Sequence, residues 1–179
     1  MRPSTGGTSP RVTIVVPCYD AEDTLPALVE TVAESVLAGS CQLVIVDDGS
    51  SDATADVIRE VERRHDFVEG LLQPGNAGAG VARNAGFERA RGAYILFFDA
   101  DDVLHVEALE SALDEMELER ADLALLPYLY DRGDGGGYTA MNHYDTEVWG
   151  RVIGKRRKVA GELTGMPQLL GMSNYPWNK

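Results

Sequence analysis

Lysine is missing from residues 1–128, where nine arginines face 24 acidic residues. Over the whole chain 16 basic side chains stand against 29 acidic ones, a net charge of −13. This shortage of positive charge excludes a generic nucleic-acid binder, which needs a basic face to meet phosphates. It leaves room for a small anionic ligand that is neutralised locally. Cysteine is scarce as well: Cys18 and Cys41 make no disulfide framework, and no Cys/His cluster has the spacing of a zinc site. No apolar run approaches the ~20 residues of a membrane helix. Met1–Pro10 is rich in Ser, Thr, Gly and Pro and lacks the apolar centre of a signal peptide. What is present, 179 residues of which 44% are hydrophobic, suffices for one domain with its own core. The expected setting is a reducing compartment, the cytoplasm.

Short apolar runs alternate with amphipathic stretches. Val12–Val16 reads as a buried strand ended by Pro17, and Glu22–Leu37 as a helix with Leu25, Leu28, Val29, Val32 and Val36 on one face. Gln42–Val46 is a second strand, Ala53–Arg64 a helix, Phe67–Leu72 a third strand and Val81–Arg91 a helix. Ala93–Phe98 is a fourth strand, His105–Arg120 an acidic helix with a solvated face, and Leu123–Leu129 a fifth strand. This alternation predicts an α/β domain, a three-layer α/β/α sandwich around a mostly parallel sheet. The texture changes near residue 130, after which come Gly133, Gly135–Gly137 and the basic cluster Arg151, Lys155, Arg156, Arg157 and Lys158.

In such a sheet ligands sit beyond the carboxyl ends of the strands. Three of the four ends carry acids: Pro17-Cys18-Tyr19-Asp20, Asp47-Asp48-Gly49-Ser50 and Asp99-Ala100-Asp101-Asp102. Clustered carboxylates raise one another's pKa unless a cation is shared, and a hard divalent metal is the natural partner. Residues i and i+2 of an extended segment point the same way, so Asp99 and Asp101 are expected to face one Mg²⁺ or Mn²⁺ ion. Asp102 is a candidate cap for the next helix. Asp48 is expected to accept from a base imide or a ribose hydroxyl, with Ser51 or Asp52 capping. Tyr19 either stacks on a nucleobase or packs at the sheet edge. Glu22 reads as an ordinary first-turn acid. Gly75-Asn76-Ala77-Gly78-Ala79-Gly80 permits close backbone approach before a helix N-terminus, and Arg83 is the best placed residue for a diphosphate. The loop is neither the dinucleotide fingerprint nor a Walker loop, since it carries no lysine.

Four stretches in this order resemble glycosyltransferase family 2, which has the GT-A fold: Val12–Asp20, Leu43–Asp52, Asn76 with Ala82-Arg83-Asn84-Ala85-Gly86, and Gly92–Asp102. The resemblance implies transfer of a sugar from a nucleoside-diphosphate sugar, UDP-linked in first place, with inversion, to a glycan, lipid or wall-polymer acceptor. It implies that Pro17 and Tyr19 line the nucleobase pocket and that Asp48 holds the base. Arg83 would lie over the diphosphate, and Asp99 near ribose or metal. Ala100 belongs to the same donor-binding stretch, and Asp101 would be the main metal ligand. The implied organisation is a disordered tail over 1–11, a donor-binding domain over 12–130 and a truncated acceptor-side region over 131–179. The family's general base would fall beyond Lys179, since none of Asp131, Asp134, Asp145, Glu147 or Glu162 fits its motif. The basic cluster over 151–158 either meets anionic lipid headgroups, with peripheral membrane association, or is a solvated charge run. Two other readings stay open. One is a non-catalytic nucleotide-sugar binding module or inactive fragment. The other is a sugar nucleotidyltransferase, which would want a Gly-rich basic loop where Pro17–Ala21 stands.

Overall fold

The computed structural model describes residues 9–124, 129–131 and 138–140. Contacts divide the chain into two units, Met1–Ala121 and Asp122–Lys179. The first contains four strands, β1 (Val12–Cys18), β2 (Cys41–Asp47), β3 (Val68–Leu72) and β4 (Tyr94–Phe97), all parallel, in spatial order β3-β2-β1-β4. Four helices connect and follow them: α1 (Leu25–Ala33), α2 (Thr54–Arg64), α3 (Ala79–Arg89) and α4 (Val106–Glu119).

The strand order decides which face each helix covers. From β1 through β2 to β3 the chain steps one way, so right-handed crossovers put α1 and α2 on one face. The step from β3 to β4 returns past β1, which puts α3 on the other. The core divides accordingly. Val12, Ile14 and Val16 of β1 and Leu43 and Ile45 of β2 pack with Leu25, Leu28, Val29 and Val32, with Ile58 and Val61, and with Val106, Leu109 and Leu113 of α4. Val44 and Val46 pack against Ala82 of α3. The apolar runs of β1 and β2 are uninterrupted because both faces are covered, and every residue of both strands is buried. At Gly86 a Cβ would overlap a methyl of Val15 and lie 3.2 Å from a methyl of Val46, so α3 lies directly on the sheet there.

Reversal of direction makes the β1/β4 seam the topological switch point. Residues two apart on a strand aim their backbone groups at the same neighbour. Tyr94 N–H donates to Arg11 O and Phe98 N–H to Val15 O, so the odd positions of β1 face β4. The next donor in that row would be Pro17, which has none. Pairing between β1 and β4 stops at Val15↔Phe97, whereas pairing between β1 and β2 runs on to Cys18↔Asp47. The seam therefore opens beyond Val15.

Four sequence expectations change. The helix expected over 22–37 is shorter: α1 ends at Ala33 and a 3-10 turn over Val36–Gly39 follows, opened by Ser35, whose hydroxyl accepts from Leu37 N–H. That break shifts the helical phase, so Leu37 is fully buried and Val36 is 76% exposed. Arg11, assigned to the tail, is held to α4 by ion pairs with Asp114 at 2.7 Å and Glu117 at 2.8 Å. Asp102 does not cap α4, which begins after His105 without a side-chain cap. The fifth strand expected over 123–129 is not formed at Leu123 and Ala124, and residues 125–128 lie outside the described residues. In the second unit β5 (Leu129–Asp131) instead pairs antiparallel with β6 (Tyr138–Ala140). The expectations for residues 141–179, the basic cluster included, also lie outside the described residues. Among the described residues no helix is long and apolar enough to cross a membrane.

Both cysteines are buried free thiols. Burial, then the charges of Asp47, Asp52 and Asp48, push the Cys18 thiol up to about 12, and burial pushes Cys41 up to about 11. A thiol with a raised pKa stays protonated and unreactive until pH approaches that value. At pH 8 the folded protein should resist iodoacetamide at both positions and take up two equivalents in guanidinium; rapid labelling of the native chain would contradict the burial. Gly86→Ala should destabilise the domain by about 1–3 kcal/mol through overpacking, more than the helix-propensity gain of up to ~1 kcal/mol returns. The measurement is the urea midpoint, and an unchanged or higher midpoint would refute the close approach of α3.

Candidate functional site

All four loops at the carboxyl end of the sheet are tied together, and carboxylates make most of the ties. The first two loops, after β1 and after β2, are laced by side chains. Asp20 N–H donates to Ser50 Oγ at 2.9 Å, and Asp20 Oδ1 accepts from Ser51 N–H at 2.8 Å and from its hydroxyl at 3.3 Å. Ala21 N–H donates to Thr54 Oγ1 at 2.7 Å. Glu22 bonds twice across the loops: its N–H donates to Asp52 Oδ2 at 3.2 Å, and its Oε2 accepts from Ala53 N–H at 2.7 Å. Asp47, 4% exposed, accepts from both the backbone and the hydroxyl of Ser50.

The loop after β2 is joined to the glycine-rich loop after β3. Asp48 is 3% exposed, and its two oxygens accept from Ala77 N–H at 2.8 Å and Gly78 N–H at 2.7 Å. Gly49 makes this possible. Its φ is +78°, and a Cβ there would come within 2.6 Å of the Gly75 backbone. Gly78, with φ +94°, stands just before α3, and the chain turns through it into the helix.

The third tie runs from α3 to the end of β4. Arg83, 7% exposed, bonds through Nη2 to Asp99 Oδ1 at 2.5 Å. Asp102 N–H donates to Asp99 O at 3.2 Å, so Asp99–Asp102 is a tight turn. That corrects the expectation that Asp99 and Asp101 share a side by extended alternation. The chain has left the strand, Asp99 is directed to Arg83, and Asp101 is exposed at the turn. Ala100 is buried beneath it. Partial desolvation, then the negative charges of Asp101 and Asp99, raise the Asp102 carboxyl above its usual range although its side chain reaches solvent. Among the described residues no three His, Cys, Asp or Glu side chains converge as a ready metal cage.

The sequence-predicted residues thus gather at the carboxyl end of the sheet, with Pro17 in β1, Arg83 in α3 and the others on the loops after β1, β2 and β4. Pro17 is buried at the end of β1 and Tyr19 is 50% exposed just beyond it. Asp48 and Arg83 are present but already engaged, the first by backbone amides and the second by Asp99. Of the two residues expected at the start of α2, Asp52 is the one engaged there. Ser51 does not cap it; Asp52 Oδ1 accepts from Thr54 N–H at 2.9 Å, and Ala53 N–H is taken by Glu22. Glu22 therefore precedes α1 and serves another helix. Sequence reasoning missed how Asp20, Glu22 and Ser50 join the two loops, through partners 30 or 31 residues apart and outside any local period.

Comparison with known proteins gives this arrangement a family. Residues 13–172 match the model described as Glycosyl transferase family 2. The chain is 31% identical over 154 residues to the putative teichuronic acid biosynthesis glycosyltransferase TuaG of Bacillus subtilis (strain 168), covering 81% of this chain and 60% of that protein. It is 27% identical over 168 residues to the uncharacterized glycosyltransferase YibD of Escherichia coli (strain K12), covering 93% of this chain and 45% of that one. The chain thus spans 60% and 45% of the lengths of these two relatives. Among solved structures, S. aureus TarS 1–349 in complex with UDP-GlcNAc matches with a TM-score of 0.57 and 25% identity, over 62% of this chain and 32% of that one. Mannosyltransferase PcManGT from Pyrobaculum calidifontis, in complex with GDP-Man and Mn²⁺, shares the fold with a TM-score of 0.55 at 23% identity, over 61% of this chain and 33% of that one. These likenesses bear out the GT-A sandwich. By its family-model match over residues 13–172, this chain belongs to glycosyl transferase family 2.

Proposed function

We propose that residues 12–124 form the donor-binding part of a glycosyltransferase that takes a nucleoside-diphosphate sugar, UDP-linked, and passes the sugar to a hydroxyl acceptor with inversion. The observation that carries this reading is the opening of the β1/β4 seam between two kinds of chemistry. On one side stands an exposed aromatic ring, Tyr19, with Pro17 beneath the same strand end and Asp48 on the next loop. On the other stands an Arg83–Asp99 pair followed by the exposed Asp101. A nucleoside diphosphate has the matching order of a flat base, a ribose and an anionic tail. Tyr19 takes the base face. Asp48 takes a base N–H with lone pairs that Ala77 and Gly78 leave over, since each carboxylate oxygen accepts more than one bond. Asp99 and Ala100 line the ribose, and Arg83 faces the diphosphate.

The residues present fit a divalent cation held jointly with the donor. Mg²⁺-type ions are commonly bound by one or two carboxylates together with substrate phosphates, so a three-residue protein cage is not required. Asp101, exposed at the turn, would hold Mn²⁺ or Mg²⁺ together with the donor's phosphates. When bound, such an ion neutralises charge on the leaving nucleoside diphosphate. Arg83 adds a fixed positive charge to the same end. In an inverting transfer the acceptor hydroxyl attacks the anomeric carbon in line with the departing diphosphate and gives its proton to a carboxylate. TuaG, named for teichuronic acid biosynthesis, supports a wall-polymer or other envelope glycan as the acceptor class; the proposed setting is the cytoplasmic side of the membrane.

Thermal shift with UDP, with and without Mn²⁺, tests the reading, because a ligand at 100 times its Kd stabilises by about 2.7 kcal/mol. UDP should raise the melting temperature more with Mn²⁺ than without. Asp101→Ala should abolish that Mn²⁺ increment and leave the unliganded melting temperature in place; an intact increment would remove Asp101 as the metal ligand. Asp48→Ala should weaken UDP binding and narrow the preference for UDP over GDP. Equal preference before and after the substitution would detach Asp48 from the base.

A further inference from the structure

Asp20 is one of two non-glycine residues with positive φ among the described residues, at +50°. Asp tolerates this left-handed conformation better than most residues, but it still needs local support. Here the support comes from the next loop. Asp20 N–H donates to Ser50 Oγ, and Asp20 Oδ1 takes the backbone and hydroxyl of Ser51. Ser50 is free to accept because its own hydroxyl hydrogen is directed to Asp47 Oδ1 at 2.5 Å. A buried carboxylate thus orients a serine, the serine orients a backbone amide, and that amide fixes a turn immediately after Tyr19. The turn is what separates Tyr19 from the buried strand: Cys18 is 5% exposed and Tyr19 is 50% exposed.

We infer that Asp20, backed by the Ser50–Asp47 relay, is a positioning residue that holds the Tyr19 ring as a preformed platform for the nucleobase. The inference rests on the reading of Tyr19 given under Proposed function. An aromatic ring presented in advance spares the ordering cost of assembling the platform on binding. It also gives Asp47 and Ser50 a task distinct from the ligand contact assigned to Asp48. Asp20 need not touch the donor.

A double-mutant cycle on the full chain, read by calorimetric titration of UDP in saturating Mn²⁺, tests it. Stacking of a base on an aromatic side chain is worth about tenfold or more in affinity. Tyr19→Ala and Asp20→Ala should each weaken UDP about tenfold. The double variant should be no more than about threefold weaker than either single, because both act through one contact. Asp20→Asn should stay within about threefold of the parent, since Asn keeps an Oδ1 acceptor and tolerates the same φ. Asp20→Ala binding UDP like the parent, Asp20→Asn failing to restore binding, or losses that multiply in the double variant would overturn the inference. Tyr19→Ala binding UDP like the parent would overturn the stacking reading itself, so the two failures are distinguishable. Should Asp20→Ala not fold, Ser50→Ala takes its place in the cycle with the same criteria.

Discussion

Asp48 accepts two backbone N–H bonds from the loop that carries Gly75 and Gly78. Gln73–Gly78 leaves β3 without a ladder partner beyond Gln73 N–H to Asp47 O, and its glycines give it a wide choice of shapes. Charge-assisted bonds to a buried carboxylate are worth roughly 1.5–3 kcal/mol each, enough to select one shape. The selected shape delivers the chain to Gly78 and starts α3 at Ala79. That in turn brings Arg83 to Asp99 and seats Gly86 on Val15. Remove the Asp48 contact and the register of α3 over the sheet loses its start. The parallel sheet creates the need for such ties, because it releases every strand into a loop at the same end and offers those loops no pairing of their own.

The acid excess acquires a physical meaning from these ties. Asp20, Glu22, Asp47, Asp48 and Asp52 each accept from N–H or O–H groups of the loops. Those bonds supply part of what water would otherwise supply to a charged carboxylate. Asp99 has a cation, Arg83. Asp101 and Asp102 follow on the same turn, where the Asp102 carboxyl is raised by partial desolvation and by the charges of Asp101 and Asp99. The strand-end acids therefore divide into those engaged within the site and the exposed Asp101 and Asp102, whose charge asks for an outside partner. Composition alone could not make that division, because it depends on where N–H groups point.

Legibility in the sequence follows the range of the interaction. β1, β2 and α2 were legible to within two residues because their burial repeats locally, at period two or as an unbroken apolar run, or at period 3.6. The 3-10 turn after α1 was not, since Ser35 interrupts a helical pattern that hydrophobicity alone continues through Val36. Asp99 and Asp101 were legible as strand-end acids, but the tight turn that parts them depends on a backbone bond within the turn. Glu22 shows the limit most clearly. Its position three residues before α1 suggests a first-turn acid, yet its partner is Ala53, 31 residues on. The strand order brings those residues together, and strand order is a property of the whole sheet.

Pro17 joins the two scales. As a residue in a central strand it should be disfavoured, because it removes a ladder donor. The missing donor lies in the row that faces β4, and the β1/β4 ladder ends at Phe98 N–H to Val15 O. On the other edge the chain goes on pairing with β2 through Cys18, whose carbonyl accepts from Asp48 N–H at 2.9 Å. One side of β1 thus stays bound while the other is released, and the release falls at the switch point where a ligand would enter. A residue with an N–H at position 17 could extend the β1/β4 ladder and narrow the seam between Tyr19 and Asp99. The proline is therefore one reason the ladder ends where it does, one residue pair short of the strand-end acids after β4.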